Sequence, residues 1–313
     1  MKPTTRKVIH EEGYMTLAVS HKKYFEYAVD LALSIKLNDP KRPICLLCDD
    51  KRKISESRQL LFDYIVEQNE HDKFIGCSNK LTMYEYSPFE RTIFFDADTL
   101  LVRDNIDFFW EKLKNFSFTL EGHKKTVGMW GDLDVKKIIA ELRLPYMIVG
   151  PSAFIYFDKS PKARSVFKKI KEYYDSNRRT ITWIHKNVNG QYADEPIICA
   201  AMCFNELEPI PFDWEGNCMF VGPTGGTEFN VDVVNRKCSF MRGGYLCEPT
   251  AFNHSSIKSH FIYLREAYKL RKLYKINKVP LITIGLLFDR NLLVKILKNL
   301  YAKIIGKLSR EVE

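Results

Sequence analysis

The sequence predicts an α/β protein: a doubly wound, mostly parallel sheet followed by a helical extension. Three observations predict it. Short apolar runs alternate with amphipathic helical patterns through the first hundred residues, in the order strand, helix, strand, helix, strand. Two of the apolar runs stop on acidic residues, at Asp49-Asp50 and at Asp96-Ala97-Asp98, as parallel strands do where their carboxyl ends line a ligand crevice. The 313 residues, 45 % hydrophobic and 28 % charged, suffice for one large α/β domain with appendages or for two modest domains. That balance excludes a disordered chain, and 15 Gly with 13 Pro exclude a collagenous one.

Residues 14–20 (YMTLAVS) read as the first strand. A helix over 24–37 follows, with Phe25, Ala28, Leu31, Ala32 and Ile35 on one face. Residues 44–48 form a second strand and 64–67 a third. A short helix over 79–86 is closed by Ser87-Pro88. Residues 91–95 make a hydrophobic strand that ends at the Asp-Ala-Asp triplet. Further on, 153–157 is a strand, and 161–174 is a basic helix opened by Ser160 and Pro161. Residues 194–204 form a helix with Pro196 in its first turn, 222–227 (GPTGGT) a loop, and 246–253 a strand ending near His254. A basic helix covers 257–277, and Pro280 breaks the chain before the terminal segment. No repeat and no linker divides the chain, which predicts one domain over 1–256 and a basic helical tail over 257–313.

The net charge of +9 lies wholly in that tail, where 13 Lys and Arg stand against 4 Asp and Glu. A body without net charge argues against a nucleic-acid binder. The N-terminal residues are polar and lack the apolar core of a signal peptide, and no run is long enough to span a membrane. The 8 Cys show no metal-ligand spacing. Cys45 and Cys48 lie within one strand, where alternate residues face opposite sides, so reduced thiols in a cytoplasmic protein are expected. Over 289–308, Leu293, Ile296, Leu297, Leu300, Ile304 and Leu308 share a helical face, with Lys295, Lys298, Lys303 and Lys307 around the other. Such a helix suits an anionic membrane surface, or it packs on the domain with its lysines solvated.

Asp96 and Asp98 can converge on a tight turn and supply the oxygen ligands that a hard divalent cation needs, or they form a solvated turn. Asp194-Glu195 opens a helix. The pair either caps it or places two carboxylates for chemistry. His254, beside a strand end, can complete a metal site, and imidazole with two carboxylates suits Mn²⁺ better than Ca²⁺. His260 competes for that role. Trp130, Trp183, His185, Phe212 and Trp214 either line a sugar site or belong to the core.

The stretch 91–105 (RTIFFDADTLLVRDN), with Lys80-Leu81 upstream, resembles glycosyltransferases of the GT-A fold, and within them the retaining glycogenin- and galactosyltransferase-like family eight. Residues 15–20, Tyr24 and 28–34 are similar to that family's opening strand and helix. Residues 149–157 (VGPSAFIYF) stand where it has an Asn-Ser-Gly strand, here with Gly150-Pro151-Ser152 instead. Asp194-Glu195 resembles its Asp-Gln pair. The resemblance implies a GT-A-type, Rossmann-like sheet with the nucleotide-sugar half over about 14–110 and the acceptor half over about 111–256. It implies a metal, Mn²⁺ or Mg²⁺, held by Asp96, Asp98 and His254. Donor contacts would come from Thr16, Ala18, Tyr24, Lys80, Asp96, Ala97, Asp98 and Lys258, and catalytic roles fall to Asp194 and Glu195. The family's Gly-x-x-Lys-Pro-Trp run is missing after His254.

The expectation is therefore a metal-dependent glycosyltransferase moving a sugar from a nucleotide donor, a UDP-sugar, to a glycan or lipid-linked acceptor with retention of configuration. If the enzyme inverts instead, one of the two carboxylates is the general base. Its place would be the cytoplasm, peripheral on a membrane through the tail. Two other readings are a sugar-1-phosphate nucleotidyltransferase and a non-catalytic membrane-peripheral protein of the same fold. The first wants a Gly-rich loop after the first strand, where this chain has Ser20-His21-Lys22-Lys23-Tyr24.

Overall fold

The β-branched and aromatic runs of the sequence assemble into one central sheet flanked by helices. This computed structural model describes residues 10–69, 76–177, 184, 193–221, 229–242, 244–254 and 257–276. The loop expected over 222–227, Trp183, His185 and the helix expected over 289–308 lie outside the described residues.

In chain order the elements are β1 (His10–Ala18), α1 (Lys22–Asn38), β2 (Ile44–Cys48), α2 (Glu56–Gln59), β3 (Tyr64–Glu67), α3 (Met83–Tyr86), β4 (Phe89–Phe95), β5 (Thr99–Leu101), α4 (Ile106–Leu113) and β6 (Phe118–Thr119). There follow β7 (His123–Lys125), β8 (Met129–Trp130), β9 (Leu133–Asp134), α5 (Val135–Leu142), β10 (Met147–Val149), β11 (Phe154–Asp158), α6 (Pro161–Asn177) and α7 (Asp194–Phe204). The last are β12 (Cys218–Val221), β13 (Phe229–Asp232), β14 (Lys237–Arg242), β15 (Tyr245–Cys247), β16 (Pro249–Asn253) and α8 (Ile257–Leu273).

The central sheet has six strands in the order β3-β2-β1-β4-β11-β6. The first four run parallel, while β11 is antiparallel to both β4 and β6. Both faces are covered, which is why these strands read as continuous apolar runs. On one face Tyr14, Ala18, Leu46, Cys48, Ile93 and Phe95 join the core beneath α1. On the other, Met15, Cys45, Leu47, Phe94 and Ile155 join the core beneath α7. Cys45 and Cys48 thus sit in different cores, and the described cysteines are free thiols. A smaller three-stranded sheet, β12-β16-β5, and a second one, β13-β14-β15, extend the structure.

β1 starts at His10, earlier than its apolar run. The added residues pair with β4 from His10↔Phe89 onward. Their charges are met by Arg91, 2.7 Å from Glu11 and 2.8 Å from Glu12, and by Arg42, 2.8 Å from Glu12. The single strand expected over 246–253 is two strands in different sheets, separated by Glu248. Pro249, which has no N–H for a ladder, stands first in β16. α8 lies on α1, with Tyr263, Leu264, Ala267 and Leu270 buried. Arg271, 2 % exposed, bonds Asp30 through Nε and approaches Glu26 to 3.1 Å, both on α1. Among the described residues no helix is long and apolar enough to cross a membrane.

Candidate active site

The strand order reverses at β1, which has β2 on one side and β4 on the other. In such sheets the ligand crevice opens at the carboxyl ends of the two strands flanking the reversal. Here those ends are followed by residues 19–24 and by the Asp96–Asp98 turn. After β4 the chain turns sharply: the Asp96 N–H donates to the Ala153 carbonyl at 2.9 Å, and the Thr99 N–H donates back to the Asp96 carbonyl at 3.0 Å. The turn then enters β5, which pairs antiparallel with β16 in the register Thr99↔Asn253. That register sets Asp98 opposite His254. Asn253 Nδ2 donates to Asp98 Oδ1 at 2.7 Å, and His254 Nε2 lies 3.6 Å from Asp98 Oδ2.

Lys80 stands at the centre of the site. A 3₁₀ turn (Gly76–Thr82) delivers it, and its side chain is 4 % exposed. Its ammonium lies 2.8 Å from Asp96 Oδ1 and 2.8 Å from Asp194 Oδ2, and donates to Ser152 Oγ at 3.0 Å and the Ser152 carbonyl at 3.2 Å. Ser152 Oγ donates to Asp194 Oδ2 at 2.7 Å, and the Ser152 N–H donates to Glu195 Oε1 at 3.4 Å. Ala193, not Asp194, occupies the N-cap position of α7. The Asp194 carboxylate is turned toward Lys80 and Ser152, so capping is not its structural role.

Burial raises the Asp96 carboxyl to about 7, opposed by Lys80 and assisted by the neighbouring Asp98 and Asp194 charges. Burial also raises Asp98, with the Asn253 hydrogen bond and Lys80 pulling it back. Glu195 is pushed up to about 7 by burial and by the Asp194 charge beside it. Four carboxylates around one ammonium leave a site that favours further positive charge. Displaced carboxyl groups with specific charge partners in a crevice mark a candidate functional site.

The structure brings Lys80, Asp96, Ala97, Asp98, Asp194, Glu195 and His254 to one crevice. It does not bring the Thr16 and Ala18 side chains there. Both are buried on the α1 side of β1 with Tyr14, so these two residues offer a ligand their backbone, the kind of contact that the resemblance implies for this strand. Tyr24, in the first turn of α1, is 37 % exposed. Lys258 falls in the first turn of α8, and its side chain lies outside the described residues. His260 packs against the His254 ring at 4.6 Å, and Tyr27 and Tyr263 hold that ring at 5.3 and 4.9 Å. Trp214 packs with Phe108, Phe109 and Phe116 in the core. Ser152 and Asn253, which orient the acidic groups, were not expected as site residues. The hint for Asn253 was its place beside His254.

Among the described residues no group of three or more His, Cys, Asp and Glu stands in metal-holding geometry. Asp98 and His254 already face each other, while both oxygens of Asp96 are drawn to Lys80, at 2.8 and 3.1 Å. Two carboxylates and an imidazole are a donor set that suits Mn²⁺ or Mg²⁺, and the excess of carboxylates supplies the attraction.

Solved structures share this architecture. A crystal structure of the galactosyltransferase LgtC in complex with donor and acceptor sugar analogs is 13 % identical, with the match covering 88 % of this chain and 99 % of that one at a TM-score of 0.50. An active-site mutant of LgtC is 14 % identical over 79 % of this chain and 88 % of that one, at 0.49. The glycosyltransferase GlyE of Streptococcus pneumoniae TIGR4 is 10 % identical over 66 % of this chain and 47 % of its own, at 0.45. No family model and no curated protein matches the sequence. At such identities the LgtC likeness speaks to the fold, and it agrees with the strand order and the mixed sheet: the chain has the GT-A fold.

Proposed function

We propose that the protein is a metal-dependent glycosyltransferase that moves a sugar from a nucleotide donor, a UDP-sugar, to a glycan or lipid-linked acceptor. The observation that carries the reading is Lys80 between Asp96 and Asp194, which joins the Asp-Ala-Asp turn to the Asp194-Glu195 pair at the sheet's strand reversal. A reaction that separates a diphosphate from a sugar needs those two parts adjacent. Asp98 and His254, with Asp96, would hold Mn²⁺ or Mg²⁺, which when bound supplies Lewis-acid neutralisation of the departing diphosphate. Asp194, fixed by Lys80 and Ser152, stabilises positive charge at the anomeric carbon. Glu195, with its carboxyl at about 7, is poised to exchange a proton with the acceptor hydroxyl near neutral pH. Retention of configuration is what the family resemblance implies, whereas a single displacement with Glu195 as general base would invert it.

The basic tail would hold the enzyme on an anionic membrane face. The described part of it exposes Phe261, Arg265, Tyr268 and Lys272 along one side of α8. Salt-sensitive sedimentation with vesicles containing phosphatidylglycerol is the expected behaviour.

The test is thermal stabilisation by UDP, GDP and CDP with and without Mn²⁺, because a ligand that binds only the folded state raises the melting temperature. A shift with UDP that requires Mn²⁺ and is lost in Asp98→Ala is expected. No shift with any nucleotide overturns the reading.

A further inference from the structure

The chain leaves β1 through a strained turn. Ser20 has φ of +69°, a left-handed conformation that a residue with a Cβ rarely takes. The His21 N–H donates across it to the Val19 carbonyl at 2.9 Å, closing a three-residue γ-turn of the left-handed kind, which is rare and strained. Ser20 is exposed, so core packing does not impose this shape. Two side chains from the end of β2 do. The Ser20 N–H donates to Asp49 Oδ2 at 2.9 Å, and Lys53 Nζ donates both to Asp49 Oδ2 at 2.6 Å and to the Ser20 carbonyl at 3.2 Å. Both backbone polar groups of the strained residue are thereby held.

The clamp is itself prepared by the local sequence. Asp50 accepts from the Arg52 N–H at 2.9 Å and caps the 3₁₀ turn Lys51–Lys53, which returns Lys53 toward β1. Among the described residues Asp49 makes its bonds through Oδ2, and its buried Oδ1 meets no hydrogen-bond donor. An orphaned buried oxygen and a left-handed serine are both unfavourable, and such features persist where surrounding structure enforces them and function uses them. The turn lies at the strand reversal, next to the Asp96–Asp98 turn, and it sets the direction of the residues that lead into Tyr24 and α1.

We propose that Asp49 and Lys53 are positioning residues which hold Ser20 in its strained turn, so that the Ser20-His21 turn and the first turn of α1 are already shaped for the nucleoside diphosphate portion of the donor. This rests on the donor-class reading above. The backbone of that turn and the Tyr24 ring meet the nucleotide, while Lys53 acts through Ser20 and not by touching phosphate.

The test compares Lys53→Met, Ser20→Gly and the double variant in the full chain. Glycine adopts the left-handed turn without the Cβ penalty, so it relieves the need for the clamp. UDP binding by calorimetry with Mn²⁺ is expected to weaken about tenfold in Lys53→Met, and the double variant to recover at least about threefold of it. A Lys53→Met affinity within about twofold of wild type, or a loss that Ser20→Gly leaves untouched, overturns the proposal; the second result identifies Lys53 as a direct phosphate contact. A ligand-free measurement keeps the two readings apart. Amide exchange at Ser20 and His21 is expected to quicken about tenfold in Lys53→Met and to stay near the wild-type rate in Lys53→Arg. Unchanged exchange overturns the clamp even if UDP binds, whereas quickened exchange with no nucleotide binding in the wild type overturns the donor class alone.

Discussion

Lys80→Met removes the one cation between Asp96 and Asp194 while keeping the length and apolar stem of the side chain. Both carboxylates are then left facing each other in a largely enclosed site. Breaking a buried ion pair from one side typically costs about 3–5 kcal/mol, and the 32 % exposure of the Asp96 side chain argues for the lower end, about 3 kcal/mol. For a chain of this size that is a fall in melting temperature of about 5 °C. The pH dependence carries the sharper test. Asp96 titrates at about 7 in the folded protein against 3.8 for the free side chain, so the folded state holds the extra proton and loses stability as pH rises between those values. Lys80 is the group that holds this carboxyl down. Without it Asp96 moves higher still, and the window of lost stability extends into the alkaline range. The deficit relative to wild type should therefore be small at pH 6, about 1 kcal/mol, and reach its full size by about pH 8.5. Differential scanning fluorimetry of both proteins from pH 5.5 to 9 measures it. A deficit that is constant, or that narrows as pH rises, refutes the placement of Lys80 between the two carboxylates.

Gly150→Ala puts a Cβ 2.1 Å from the Glu121 carbonyl oxygen, a backbone atom that cannot step aside, so a loss of about 2–3 kcal/mol in urea unfolding is expected. Arg271→Leu leaves buried Asp30 without its cation, while Glu26 keeps Arg58, and should lower the melting temperature by about 5 °C; a loss under about 1 °C removes this pair from the account of how α8 is held. Donor hydrolysis should rise with pH through about 7 as Glu195 ionises, and Glu195→Gln should abolish that limb while lowering the plateau about a hundredfold.

The sheet was legible because its strands are buried on both faces, which writes each of them as an uninterrupted apolar run. The strand over 44–48, buried at every residue, falls at the expected bounds for that reason, and the helix over 194–204 and the edge strand over 64–67 also fall at theirs. Polar edges were not legible. His10, Glu11 and Glu12 belong to β1 only because Arg42 and Arg91, distant in sequence, neutralise the two acids. The break between β15 and β16 is likewise decided by which neighbours each strand finds, since no residue there except Pro249 announces it. At the site, charged residues at strand and helix ends stood out, as with Asp96, Asp98, Asp194 and Glu195. Ser152 did not, because a serine declares itself only through partners, and its partners, Lys80 and the Asp194-Glu195 pair, come from two segments distant in sequence. Thr16 and Ala18 have buried side chains, so a contact of theirs with a donor would be made by backbone, as the resemblance has it.

The two halves of the Asp-Ala-Asp turn belong to different bodies. Asp96 ends β4 in the large sheet, while Asp98 and His254 sit across the β5–β16 pairing of the small one. Asp98 and His254 are therefore fixed relative to each other, as two jaws on one plate, and the remaining donor, the Asp96 carboxylate, is mounted on the other. Any slip of one sheet along the other leaves the Asp98–His254 gap unchanged and alters the reach to Asp96 alone. If the proposed cation binds there, its fit would depend on a single span, the one that crosses Ala97 from Asp98 to Asp96.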